Sequence, residues 1–371
     1  MSNNETWVKG LINQLVTWLT RPRHLGLAVM SVCTVVLVAA MSGGFSVELR
    51  ASRSIDLFKF STGEGLPALL MGAIGWLALF AWLTGLGMVI WTFWAEAQES
   101  DASRVLVVEL RGLIDTADRS LMKAVPKSIK GRRIDCFIDV RPQLSGAMPN
   151  VQGALDEISH LSRQVRLARG DSVRENVRVI AGGILQVPLL FYAGVLLDDE
   201  GKVTLFDWER STGQWRQLLD VDDGVRFQLT GLDETGASDS AVVAVSASYK
   251  VDFESIGATF PSLPVVHLGL AEPQLNGLWS EETQAGLANQ FLQALATLRN
   301  REVKTVHLVL AVPSSLALRL GSVYDHRNMP DAFCYQRERT QEPAYPWSVR
   351  MPTAALTVAY MKTPLPDMAA A

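Results

Sequence analysis

Cysteine is scarce. Cys33, Cys136 and Cys334 stand far apart in a chain of 371 residues, and none belongs to a CxxC pair. A disulfide framework or a zinc ribbon is therefore not the basis of the fold, and a reducing compartment suits the soluble part. Catalytic signatures are missing as well. No GxGxxG follows a strand and no GxxxxGK[ST] occurs, so NAD and ATP are poor candidates. His160, His267, His307 and His326 form no HExxH, and no GxSxG elbow can be read. His307 lies in an apolar strand and reads as a satisfied core residue rather than a base. No enzyme, metal or cofactor is expected. Basic excess is absent too. Lys and Arg number 34 against 38 Asp and Glu, a formal charge of −4, which gives no sign of affinity for DNA or RNA polymers.

Charge is also missing from two long stretches. Residues 25–45 carry none, and at about 1.5 Å per residue they reach about 30 Å, enough for a bilayer core. Residues 65–94 form a second charge-free run. A signal peptide is the rival reading of the first run, since Arg21, Arg23 and His24 precede it; the second run argues instead for a helical hairpin. The expected organisation is an amphipathic N-terminal segment (1–24), transmembrane helices at 25–45 and 66–94, and a short extracytoplasmic loop (46–65) between them. Trp7, Leu11, Leu15 and Trp18 recur at helical spacing in the first segment. Such a helix lies on the membrane surface or packs on the soluble part. Lys9, Arg21, Arg23, Arg104 and Arg111 flank the spans, against Arg50, Arg53 and Lys59 in the loop, which favours cytoplasmic termini. Ala68, Gly72, Gly75, Ala78 and Gly85 form a small-residue stripe, suited to packing against the first span or between protomers. Neither span holds an ionisable residue, so an ion path within one protomer is unsupported.

The rest of the chain alternates strands with helices, the mark of parallel-rich α/β sheets. It also repeats. A shift of 127 positions lays Val179, Leu189, Gly194, Asp198, Phe206 and Arg210 on Val306, Leu316, Gly321, Asp325, Phe333 and Arg337, with Trp208 on Tyr335. Each copy reads strand, helix, glycine, loop, aromatic strand. Pro313 suits a first helical turn, Gly321 reads as a helix stop, and an amphipathic helix is expected over 151–168. A polar, turn-rich segment near 232–240 divides the region into lobe one (95–236) and lobe two (237–355), leaving a tail (356–371).

In such sheets ligands sit beyond the carboxyl ends of strands, where loops lead into helix N-termini and backbone amides favour phosphate. Four turns qualify, at 141–146, 185–188, 271–275 and 312–315. They offer Arg141 as a phosphate partner, or as the partner of an acid such as Asp156. Gln186 suits a base edge. Ser314 and Ser315 are hydroxyl donors or helix caps, and Trp279 is a stacking platform or a core aromatic. Trp208, Trp215 and Tyr335 read as core.

The segments VHLVLAVPSSLALRLG, VPLLFYAGVLLDDEGKVTLFDWERSTGQW and SAVVAVSASYKV, in their order and spacing, resemble the SAVED domain, over roughly residues 105–351. The resemblance implies a membrane-anchored α/β protein. Two transmembrane helices would precede a SAVED domain built of two CARF-like Rossmann-type lobes. It further implies an effector of bacterial cyclic-oligonucleotide-based antiphage signalling (CBASS), multi-pass in the inner membrane. Such an effector binds a cyclic di- or trinucleotide made by a cyclic nucleotide synthase, forms a ligand-induced homo-oligomer and disrupts the membrane. A ring nuclease that degrades the messenger and a membrane-bound adaptor are the alternatives.

Overall fold

A computed structural model describes residues 25–41, 46–52, 55–61, 68–113, 119–145, 149–198, 203–236, 238–339, 341–353, 356 and 358–362. The expected N-terminal amphipathic segment lies outside them. The chain divides into two compact units, Met1–Asp101 and Ala102–Ala371.

The first unit holds helix α1 (Leu25–Met41), an antiparallel hairpin of β1 (Ser46–Ser52) and β2 (Ile55–Ser61), and helix α2 (Ala68–Ala102). The hairpin occupies the segment expected as a short loop. In α2, Ala73–Trp94 is long and apolar enough to cross a membrane by length and composition. Helix α1 has 17 residues, or about 26 Å, a little short of a bilayer core of about 30 Å. Helix α2 does not stop at Trp94, because the next residues, AEAQESDA, include good helix formers. The helices touch through glycines. A Cβ on Gly85 would stand 3.0 Å from the Gly26 carbonyl oxygen and 3.0 Å from Met30 Cγ, whereas one on Gly75 would meet nothing within 4 Å. Trp82 Nε1 donates to Thr34 Oγ1 at 3.1 Å.

The second unit carries two sheets. Lobe one contains β3 (Arg104–Arg111), α3 (Leu121–Ala124), β4 (Arg132–Asp139), α4 (Arg141–Leu144), α5 (Val151–Ser159), α6 (Leu161–Arg169), β5 (Val177–Ile184), α7 (Val187–Leu197), β6 (Val203–Glu209) and β7 (Gln214–Gln217). Its strand order is β4-β3-β5-β6-β7, parallel except for β7. Lobe two contains β8 (Gln228–Thr230), β9 (Ser240–Ser246), α8 (Phe253–Thr259), β10 (Val265–Gly269), α9 (Glu281–Asn300), β11 (Thr305–Ala311), α10 (Ser314–Ser322), β12 (Asp331–Gln336), β13 (Trp347–Arg350) and β14 (Tyr360–Lys362). Its order is β14-β13-β12-β11-β9-β10-β8, with β12, β11, β9 and β10 parallel. The run β10-β9-β11-β12-β13 matches β4-β3-β5-β6-β7 strand for strand, so the sequence repeat is a repeat of topology.

Several boundaries differ from expectation. The helix expected over 151–168 breaks at His160 into α5 and α6, yet Ala154, Leu155, Ile158, Leu161 and Val165 stay buried on one face. Strand β8 precedes the expected lobe boundary but pairs with β10 in the second sheet. Just before it, Phe227 is pinned to α9: its N–H donates to Gln290 Oε1 at 2.7 Å, and Gln290 Nε2 donates to its carbonyl at 3.0 Å. Strand β14 lies in the segment expected as a tail and joins the same sheet.

Gly321 is not a helix stop. It lies inside α10, whose C-cap is Val323. The lobes meet where α10 packs on its repeat mate α7. A Cβ on Gly194 would overlap the Leu318 carbonyl, and one on Gly321 would overlap the Phe191 carbonyl. Each would also stand 3.0 Å from the other glycine's Cα. Leu318 is 127 positions beyond Phe191, so the two contacts are reciprocal. Close backbone approach, not chain reversal, demands glycine here. Gly194→Ala and Gly321→Ala are each expected to destabilise the detergent-solubilised protein by about 1–3 kcal/mol in denaturant unfolding. The double variant is expected to cost less than the sum, because one methyl already separates the helices.

His307, on β11, stacks on Phe333 with ring centroids 5.8 Å apart, and its Nδ1 is 2.9 Å from the Tyr335 hydroxyl. Burial, and then the Lys362 charge, pull its pKa down to about 4. A depressed histidine stays neutral in the fold while the unfolded chain takes up a proton below about 6.5. Its contribution to stability is therefore present above about pH 6.5 and is lost as pH falls toward 4, by on the order of 2–3 kcal/mol. His307→Asn is expected to flatten the fall in unfolding midpoint between pH 6.5 and 4.5. An unchanged slope would mean that His307 titrates alike in the folded and unfolded chain.

Candidate functional site: a cleft across the two lobes

The carboxyl ends of β5, β6, β9, β11 and β12 open onto one cleft of about 330 Å³. Both lobes line it. Among the lining residues are Gln186, Arg210, Tyr249, Trp279, Ser314 and Gln336. Helices α7 and α10 begin at its wall, with Gln186 and Pro313 as their N-caps. These two residues occupy equivalent places in the repeat.

Pro313 has no side-chain oxygen with which to cap α10, and the cap comes from the other lobe. Asp207, near the end of β6, accepts from the Ser315 N–H at 2.9 Å and from the Ser315 hydroxyl at 2.6 Å, both on Oδ2. Its Oδ1 accepts from the Trp208 N–H at 2.7 Å. Three donors on two oxygens is the pattern of an ionised carboxylate. Burial raises the Asp207 pKa overall, against the pull of the hydrogen bonds from Ser315 and Trp208 and the charge of Arg210. The three donors, which a protonated carboxyl would partly lose, are what favour the ionised form. Gln284 Nε2 donates to Ser315 Oγ at 2.8 Å and to the Leu278 carbonyl at 2.8 Å. This tie extends the network to the loop that carries Trp279.

Of the five residues proposed from sequence, Gln186, Ser314 and Trp279 share the cleft wall. Ser315 does not; it is fully buried and its donors are directed at Asp207. Arg141 lies elsewhere, at the end of edge strand β4, where its guanidinium forks onto Asp139 at 2.6–3.1 Å. That pairing holds the Asp139 carboxyl below its usual range. Asp156, the acid considered for Arg141, instead accepts from Gln152. Trp279 is half-buried. Its indole N–H donates to the Asn276 carbonyl at 2.8 Å, and the Arg216 guanidinium lies 4.6 Å from its ring centroid. Trp208, expected in the core, packs edge-on against Trp215 at 5.4 Å and also reaches the cleft wall.

Among the lining residues that escaped the sequence reading are Tyr249 and Arg210, both exposed. Arg210 is the sole cation among the described lining residues, and no hydrogen bond or ion pair engages its side chain among them. The repeat already pointed to it by matching it with Arg337. Arg337 is bound to Asp252 at 3.0 Å. The Gln186 side-chain oxygen is buried without a hydrogen-bond partner. Among the described residues, no group of three His, Cys, Asp or Glu side chains converges to hold a metal ion. The arrangement offers one fork-shaped cation, side-chain amides, hydroxyls and three aromatic rings, a set suited to a ligand with both anionic and heteroaromatic parts.

Residues 5–155 match a family described as the SAVED-fused 2TM effector domain. That match runs past the helices through β3 and β4, which the sheet order assigns to lobe one. Similar solved structures include the Acinetobacter baumannii Cap4 SAVED/CARF-domain containing receptor with the cyclic trinucleotide 3'3'3'-cAAA. It has 12% identity and a TM-score of 0.46, with 76% of this chain and 60% of that one covered. The Moraxella osloensis Cap4 SAVED/CARF-domain containing receptor has 14% identity and a TM-score of 0.42, with 77% and 59% covered. The chain thus spans about 60% of the length of those receptors. Comparison with curated proteins gives no match. Residues 161–351, more than half of the chain, match the family described as the SMODS-associated and fused to various effectors sensor domain. With two CARF-like lobes behind a two-transmembrane effector region, the chain belongs to the SAVED family.

Proposed function

We propose that this protein is an antiphage effector whose SAVED domain binds a cyclic di- or trinucleotide, and that binding drives its hairpin to disrupt the inner membrane. The observation that carries the reading is the single cleft at the carboxyl ends of strands from both lobes, in a chain that also holds an exposed apolar helix. The ligand contacts are Gln186, Arg210, Tyr249, Trp279 and Ser314. Ser315 supports the wall from behind, and Arg141 is left out. The termini are cytoplasmic, where a nucleotide synthase releases its product. The ring-nuclease alternative needs a general base or an attacking group at the cleft. The acids lining it are Asp207, committed to three hydrogen bonds, and Glu338.

Vesicles carrying the full chain are expected to leak trapped dye on addition of the right member of a panel of cyclic di- and trinucleotides, without consuming it. Turnover of the nucleotide would favour the nuclease, and binding with neither leakage nor turnover the adaptor. A member present at about a hundred times its dissociation constant should stabilise the protein by roughly 2.7 kcal/mol in thermal unfolding.

The apolar stretches of the helices, up to Trp94, hold no charged side chain, so one hairpin cannot line a conducting path. Assembly of several is the simplest route to damage, and the glycines separate the contacts within a hairpin from those between hairpins. Gly85 is filled by Gly26 and Met30 of the same chain, whereas Gly75 is open. Gly75→Leu is expected to preserve membrane insertion and nucleotide affinity while abolishing leakage. Gly85→Leu is expected to disturb the hairpin itself. Cross-linking with and without nucleotide reports the assembly directly. A size that stays constant when a nucleotide binds would replace assembly with a switch inside a preformed oligomer.

A further inference from the structure

Phosphate in α/β sheets commonly sits on helix N-termini. Neither helix start at this cleft offers a free amide at its second position. At α10 the Ser315 amide already donates to the Asp207 carboxylate. At α7 the 127-residue repeat puts Pro188 in the place of Ser315, and proline has no N–H to give. At the second helical position, one start thus holds a resident carboxylate and the other lacks the donor. The charged side chains on the wall are Asp207, Glu338 and Arg210. Arg210 follows β6 directly, on the lobe-one side. Of the uncharged aromatic and hydroxyl groups, Ser248, Tyr249, Trp279 and Ser314 come from lobe two, and Trp208 alone comes from lobe one, its ring packed edge-on against Trp215.

We propose that the cleft is polar in a sense that its repeat symmetry hides. Arg210 is the anion anchor and Asp207 keeps phosphodiester groups off the start of α10, so a bound cyclic oligonucleotide lies with phosphate against lobe one and bases against lobe two. This rests on the sensing reading above. The Asp207 charge repels a phosphate from the nearest amides. A guanidinium without a protein partner gives a phosphate oxygen pair a two-pronged contact. Tyr249 and Trp279 give the bases faces to stack on.

The test is calorimetry on the full chain in detergent, with 3'3'3'-cyclic triadenylate and 3'3'-cyclic diadenylate as probes, beside an analogue of each with an uncharged methylphosphonate backbone. Arg210→Ala is expected to weaken the bound probe about tenfold or more, and Arg210→Lys to recover part of the loss. Asp207→Asn keeps an oxygen for Ser315 and removes the charge. It is expected to bind the charged probe several-fold more tightly, with an unfolding midpoint showing that it remains folded. The uncharged analogues are expected to respond to neither change. Wild-type affinity in Arg210→Ala, with Trp279→Ala weakened, would overturn the proposal and leave sensing intact. So would weaker binding by a folded Asp207→Asn, because Asp207 would then be a ligand contact. Should neither charged probe nor any other cyclic di- or trinucleotide bind the wild type, the sensing reading falls and this proposal with it. If Asp207→Asn fails to fold, the Arg210 pair of variants decides alone.

Discussion

The crossing of α7 and α10 is the constraint on which the soluble unit depends. Two glycine backbones meet there with no room for a methyl group, and each fills the space beside the other's neighbouring carbonyl. Both helices start at the cleft, so the crossing, about two turns downstream, sets how far apart their N-termini stand. A second tie holds the cleft end. Asp207 of lobe one caps α10 of lobe two, a task that Pro313 at the cap position cannot perform. The lobes are thereby coupled at two points along one helix pair. The apolar contacts around that pair, such as Phe191 against Phe291 and Tyr324, fill in behind it.

The architecture was largely legible in the sequence because its repeat is written in residues that do different jobs. Val179 and Val306 are buried strand positions, Leu189 and Leu316 are buried helix positions, and Gly194 and Gly321 are the crossing. What the sequence hid was the reason for the glycines. A glycine that ends a helix and one that admits another backbone look alike in one dimension, and only the packing separates them. Short edge strands were hidden as well. The side chains of β8 are exposed, so it has no alternation to read. The break at His160 was invisible because the buried face continues through it.

The candidate site was half legible for a related reason. The strand-end rule found the loops that lead into α7 and α10, hence Gln186 and Ser314. It could not tell Ser314 from Ser315, since neighbouring helix residues differ only by a turn of about 100° and the facing partner, Asp207, lies 108 residues away. The rule also selected Arg141, because strand order is not written in the sequence and β4 falls on the outer edge. Arg210 was passed over because it follows β6 into a hairpin rather than a helix. In the first unit, exposed Trp76 and Trp91 contrast with buried Ala78 and Gly85, and that contrast assigns part of the small-residue stripe to contacts within the chain.

A ligand acts on such a molecule only through a difference in its affinity for two arrangements. The α7–α10 crossing leaves little freedom for the helices to slide, since a sub-ångström shift of close-packed backbone already meets repulsion. Rotation about the contact costs less, and it changes the separation of the helix starts and of the strand ends around them. A ligand held by one lobe alone is indifferent to that angle and shifts nothing. A ligand held by Arg210 on one side and by Tyr249 and Trp279 on the other spans the angle, so its binding energy depends on it. An uneven distribution of charge across a nearly symmetric cleft is therefore what would allow a small nucleotide to bias the relation of the lobes rather than merely occupy the space between them.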